Sequence, residues 1–363
     1  MTFKIPTPLQ TLDVTMDDGA VVRVRQHSRG TLRLLLSHGN GFAIDAYFPF
    51  WGPLLKQFEI VVFDIRNHGQ NPLHRLESHD QAHLVQDFET LYREIPDAFG
   101  TRPTIGVFHS VSAITALLQN LKHGKRWDAL LLVDPSLTPP AGHPLYQRAC
   151  GFEFKLRDWA LGRQHQFENP AELAAILKSM PRMNRWCDGS HDLLAASTLR
   201  EIGNKWELVC PGAYEARIYA GNADLDIWHQ LSSLTGPVCS LGADPVLRGS
   251  WPPAFLNRAV HAELGLAYRC VAETTHLMQI ERPAAVAAEL LDFIARSDIN
   301  PVRPLRDHSW PHPSLQDIAG LLPQKNLTVR WWVFKHYRPC DGKHRLRPAV
   351  YTSALAGLLR SNI

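Results

Sequence analysis

Four residues with the side chains of nucleophilic catalysis stand where apolar runs of this chain end. Ser110 follows TIGVFH, Asp134 follows DALLLV, Asp244 follows GPVCSLGA, and His276 ends LAYRCVAETTH. A serine hydroxyl becomes a strong nucleophile only when a base takes its proton, and a carboxylate must hold that base in the right tautomer. In chain order these positions supply a nucleophile, two candidate acids and a base. Ser110 also sits between a strand-like run and the helix-like SAITALLQNLKH. A sharp turn there would expose its oxygen and aim a helix N-terminus at a developing oxyanion. A fifth strand end, TLRLLLS, runs into His38-Gly39-Asn40-Gly41, whose glycines suit close approach to a ligand.

The elements that must position these residues follow from the apolar periodicity. TLDVTM (11–16) and AVVRVRQH (20–27) alternate around Asp17-Asp18-Gly19, which predicts a β-hairpin. Beyond it, runs rich in Val, Ile and Leu alternate with segments of helical spacing. AYFPFWGPLLKQ reads as helical despite its prolines, and 79–95 as a helix capped by His79 or Asp80. Such alternation means an α/β fold, a doubly wound and mostly parallel sheet covered on both faces. Residues 137–234 break the rhythm with the helical pieces PAELAAILKSM and HDLLAASTLREI and several tryptophans. The expected organisation is a core of 1–136 and 235–298, an inserted helical cap of 137–234, and a C-terminal extension of 299–363. In open α/β sheets the working groups gather beyond the carboxyl ends of the strands, which is where the four residues lie.

Over roughly residues 10–297 the chain resembles the α/β-hydrolase fold family, on the serine-nucleophile esterase and lipase side. The resemblance runs through HGNGF, DIRNHGQN, HSVS, LGADP and HLMQIERP, the last with Glu281 and Pro283 at familiar spacing from the histidine. It implies Ser110 as nucleophile, His276 as general base and Asp244 as the orienting acid, with Asp134 as the rival acid. It also implies an oxyanion hole built from the amide of Val111 and one of the HGNG turn, Asn40 before Gly41. The usual elbow is G-x-S-x-G, whereas this chain has Phe108-His109-Ser110-Val111-Ser112. Ser112 is small, but Phe108 is bulky and needs room from its neighbours, at some local strain. Asn67 stands where glycine is frequent, and the acid loop is one residue short. His38 and His109 are expected to shape their loops by hydrogen bonds, Asp64, Arg66 and His68 to fix theirs, and Glu273 to point away.

The implied reaction is hydrolysis of an ester or thioester through an acyl-enzyme, with no cofactor and no metal. The alternatives are a C–C bond hydrolase, an amidase or a cofactor-free haloperoxidase with the same triad, or a non-catalytic binding protein in which Phe108 marks decay. Phe152, Phe154, Trp159, Trp186 and Trp206 could line an apolar pocket for a small acyl substrate. The net charge of +3 hides an asymmetry. Residues 1–298 hold 28 basic against 32 acidic side chains, and residues 299–363 hold ten against three. The main body has no basic block suited to nucleic acid. The aromatic, basic tail is a candidate surface for an anionic membrane or a partner. The six scattered cysteines form no C-x-x-C pair, and no apolar run has membrane-spanning length, so a cytoplasmic protein is expected.

Overall fold

A computed structural model of the chain describes residues 3–297 and 299. The expected hairpin forms from β1 (Gln10–Thr15) and β2 (Val21–Gln26), with Gly19 at φ 87° in its turn. The sheet continues with β3 (Arg33–Ser37), β4 (Glu59–Phe63), β5 (Thr104–His109) and β6 (Ala129–Val133). After the cap strands β7 (Gln166–Phe167), β8 (Leu199–Ile202) and β9 (Lys205–Leu208) come β10 (Val238–Ala243) and β11 (Ala267–Val271). The main sheet has the order β1-β2-β4-β3-β5-β6-β10-β11; β1 and β2 run antiparallel, and every pairing from β4 to β11 is parallel.

Burial on both faces explains why β3 to β6 read as unbroken apolar runs. Successive side chains point to opposite faces. Leu34, Leu36, Ile60, Val62, Ile105 and Val107 enter one core, while Leu35, Val61, Phe63, Phe108 and Leu130 enter the other. The second core is closed by α2 (Gln81–Phe99), α3 (Val111–His123) and α8 (Pro252–Leu264). The first is closed by α1 (Phe48–Trp51) and α10 (Pro283–Arg296), with the short α9 (Met278–Glu281) leading into the latter. Asp80 caps α2 by accepting from the His83 amide.

Two expectations need correction. AYFPFWGPLLKQ is no continuous helix: α1 lies between the 3-10 turns Ile44–Tyr47 and Gly52–Lys56. Pro49 and Pro53 remove the amide donors that a longer helix would need. The cap is not wholly helical either. Alongside α4 (Tyr146–Gly162), α5 (Pro170–Ser179), α6 (Ser190–Thr198) and α7 (Gly212–Ala223) it carries the antiparallel sheet β7-β9-β8. The segment read as one helix, HDLLAASTLREI, stops at Thr198, and LREI becomes β8. The two-residue turn Gly203-Asn204, with Gly203 at φ 65°, folds it onto β9.

Cap and sheet belong to one compact unit. Among the described residues no helix is long and apolar enough to cross a membrane. The basic extension read over 299–363 lies, apart from Ile299, outside the described residues.

Candidate active site

The turn from β5 into α3 puts Ser110 at φ 53° and ψ −114°, a backbone conformation that costs a non-glycine residue about 1–3 kcal/mol. Several contacts hold it there. The Ser110 amide donates to the carbonyl of Val133 at the end of β6. The Ser112 hydroxyl donates to the His109 carbonyl and accepts from the His109 amide, both at 2.9 Å, so the small flanking residue clips the turn. Phe108 is fully buried, with its ring against those of Phe63, Phe88 and Trp127. Its space comes from Gly106, its neighbour on the same face of β5: a Cβ there would lie 2.4 Å from the Phe108 ring. The missing elbow glycine is thus answered two residues upstream.

The Ser110 hydroxyl donates to His276 Nε2 at 3.0 Å, and His276 Nδ1 donates to Asp134 Oδ2 at 2.7 Å. The acid on the imidazole is therefore Asp134, not the expected Asp244. Asp134 is fully buried at the end of β6, and its other oxygen accepts from the Ala243 amide at 3.0 Å and Asn257 Nδ2 at 3.4 Å. Asp244 spends both carboxylate oxygens on backbone, accepting from the Val246 amide at 2.9 Å and the Glu273 amide at 2.7 Å. It fixes the loop that carries His276 instead of touching the ring. Glu281 braces the same loop by accepting from the amide of Thr275 at 2.8 Å and from its hydroxyl. Among the described residues four non-glycine positions have positive φ: Ser110, Asp134 and Glu273 lie in these loops, and the fourth is Asn67, in the loop after β4.

Among the described residues the amides of Asn40 and Val111 donate to no protein group, whereas the Gly41 amide donates to His68 Nε2 at 3.0 Å. Of the two HGNG amides weighed from the sequence, only that of Asn40 is uncommitted. Position 39 must be glycine, because a Cβ would lie 2.8 Å from the His109 ring and 3.2 Å from Ser110 Cβ.

Sequence reasoning missed a buried tie joining these loops. The Gly39 amide donates to the Tyr47 hydroxyl at 3.2 Å, and that hydroxyl donates to His109 Nδ1 at 2.8 Å. His109 Nε2 donates to the His276 carbonyl at 2.8 Å. Burial holds the His109 pKa well below the ordinary histidine value, so the ring is neutral and the direction of each bond is fixed. His38 and His68 are likewise buried and held down to about 4 and about 3. Both shape loops as expected: His38 accepts from the Ile65 amide, and His68 donates to the Arg66 carbonyl. Asp64 accepts from the amides of Ile44 and Gln70, and Arg66 pairs with Asp87 and Asp18.

The Ser110 loop opens into a cavity of about 680 Å³ between cap and sheet. Its lining is mostly apolar, including Phe42, Phe152, Trp159, Leu177, Trp186 and Trp251. The Trp251 ring stacks on His276, with centroids 5.5 Å apart at 28°. Of the cap aromatics singled out from the sequence, Phe152, Trp159 and Trp186 face this space. Phe154 is exposed beneath Arg157, and Trp206 packs against the core. One set of metal-type ligands occurs among the described residues: His68, His79 and Cys210, whose ligand atoms lie within 4.8 Å of one another. Both ring nitrogens of His68 are already engaged, one donating and one accepting, so it has no lone pair to offer.

Known proteins share this architecture. The chain is similar in structure to an E-2-(acetamidomethylene)succinate hydrolase, at 19% identity and TM-score 0.63, over 79% of this chain and 100% of that one. It is similar to the thioesterase domain from the curacin biosynthetic pathway, at 17% identity and TM-score 0.61, over 78% and 99%. A bromoperoxidase from Bacillus anthracis matches at 12% identity and TM-score 0.60, over 79% and 100%. A search of curated proteins gave no match. The sequence model of the alpha/beta hydrolase family matches residues 34–289, most of the chain, and with this sheet beneath it the protein is a member of the alpha/beta hydrolase family.

Proposed function

We propose that the chain is a serine hydrolase cleaving an ester or thioester of a small, largely apolar acyl substrate. One observation carries the reading: the hydrogen-bonded series Ser110–His276–Asp134 at the floor of an apolar cavity. Ser110 Oγ attacks the substrate carbonyl carbon while His276 Nε2 takes its proton. Asp134 keeps the proton of Nδ1 in place and stabilises the imidazolium. The amides of Asn40 and Val111 receive the oxyanion. His276 then returns the proton to the leaving alcohol or thiol, and water, activated by the same nitrogen, releases the acid from Ser110. The Gly41 amide, held by His68, takes no part.

The reading of a decayed binding protein rested on Phe108, and the space left by Gly106 removes that support. Labelling with a fluorophosphonate tests the proposal. The native chain is expected to label and Ser110→Ala to remain unlabelled. Labelling that survives in Ser110→Ala, or a native chain that never labels, sinks it.

A further inference from the structure

The lining of the mostly apolar cavity includes an acid with no countercharge among the described residues. Glu215, Tyr219 and Asn222 follow one another at helical spacing on one face of α7, and Glu153 comes from α4. Glu153, Tyr219 and Asn222 line the cavity. The Glu215 carboxylate is answered by Arg163 at 2.7 Å. Glu153 has no such partner: it is 1% exposed and forms no ion pair among the described residues. One of its oxygens accepts from the Ser136 hydroxyl, two residues beyond Asp134, and Oε2 has no hydrogen-bond partner. The Tyr219 hydroxyl makes no hydrogen bond to a described residue either, and the Asn222 carbonyl oxygen is taken by Gln81. Leaving a buried carboxyl oxygen empty is costly, so such groups in native proteins generally meet a donor. Burial also pushes this carboxyl up to about 7, against the opposing pull of the Ser136 hydroxyl and of the nearby Asn222 side chain, which does not itself hydrogen-bond Oε2.

We propose that Glu153, with the Tyr219 hydroxyl beside it, is the specificity determinant for a substrate bearing an O–H or N–H donor, which occupies the free Oε2. The inference rests on the hydrolase reading and deepens it: an apolar stem fills the cavity, and a hydroxyl or protonated amine on it meets Glu153.

The experiment compares kcat/KM for two series of esters of graded length. One series varies the acyl group of nitrophenyl esters, the other the alcohol of acetate esters, and each ends in methyl, hydroxyl or ammonium. At the best length, the native chain is expected to favour a donor-ended ester over its methyl counterpart by about tenfold or more. Glu153→Leu should abolish that ratio for both donors. Glu153→Gln keeps an acceptor but no charge, so it should preserve much of the hydroxyl preference and lose the ammonium preference. A merely structural Glu153 would lower turnover of all three alike and leave the ratios unchanged in both variants. That result, or a native chain preferring methyl throughout both series, overturns the inference while ester hydrolysis and fluorophosphonate labelling leave the hydrolase reading standing. A chain that neither labels nor hydrolyses any ester overturns both.

Discussion

On the proposed mechanism, replacing Asp134 by asparagine changes one heavy atom and should silence hydrolysis without unfolding the chain. The reason lies in the far side of the carboxylate. Oδ1 accepts from the Ala243 amide at 3.0 Å, a backbone donor that cannot turn away, and from Asn257 Nδ2 at 3.4 Å. The asparagine carbonyl must take that place, so its NH2 group faces His276 Nδ1. The imidazole then has to accept at Nδ1 and carry its proton on Nε2, the nitrogen that should receive the proton of Ser110. Flipping the amide back would set donors against two donors in a dry site, at about 1–3 kcal/mol each. A total of about 2–6 kcal/mol corresponds to a fall of roughly thirty- to twenty-five-thousand-fold in kcat. The control is Asp244→Asn. Both oxygens of Asp244 accept backbone amides, and an asparagine can satisfy one of them. This variant should lose about 1–3 kcal/mol of stability and less than about tenfold in rate. Hydrolysis of a nitrophenyl ester, read beside thermal unfolding, separates the two. If Asp244→Asn loses the rate and Asp134→Asn keeps it, the assignment of the acid is wrong.

Two further outcomes follow from buried polar groups. Tyr47→Phe strips the hydroxyl shared by the Gly39 amide and His109 Nδ1. It should lower stability by about 2–4 kcal/mol and reduce kcat more than it raises KM; a variant matching the native chain in melting temperature and kcat contradicts the tie. His27, His38, His68, His79 and His109 are all held below the ordinary histidine pKa, chiefly by burial. Below pH about 6.5 the unfolded chain takes up protons that these rings refuse, so stability should fall as pH drops from 7 to 5. The loss is about 2 kcal/mol for a fully buried ring such as His38. Asp87, Glu153 and Glu215, raised by burial to about 6, about 7 and about 7, act in the opposite sense but are fewer. A melting temperature at pH 5 equal to or above that at pH 7 would contradict this balance.

Strands buried on both faces announce themselves, which is why LRLLL, IVVF and ALLLV are legible as the centre of the sheet. Ser110 and His276, whose side chains lie 3.0 Å apart, are legible through the order and spacing of the HSVS and HLMQIERP motifs; a polar residue ending an apolar run is no guide alone, as the structural role of Asp244 shows. The acid is not. Asp134-Pro135 and Asp244-Pro245 are the same dipeptide at the ends of adjacent strands, β6 and β10. Only the backbone bend at Asp134, with φ 46°, goes with the one carboxylate that reaches the ring. Tyr47 hides in an aromatic, proline-broken segment, and its partners lie eight and 62 residues away. The cap strands escape because they are two to four residues long, too short for a period of two to register. Their one local signal is the Gly203-Asn204 turn.

The exchange between Gly106 and Phe108 locks two positions into a single choice. A methyl group at 106 collides with the ring, and a glycine at 108 opens a void among Phe63, Phe88 and Trp127. Substitution by single steps therefore passes through a strained or hollow intermediate in either direction. Return to the common elbow requires both changes together. Any search keyed to the spelling of the turn overlooks the shape that this pair preserves.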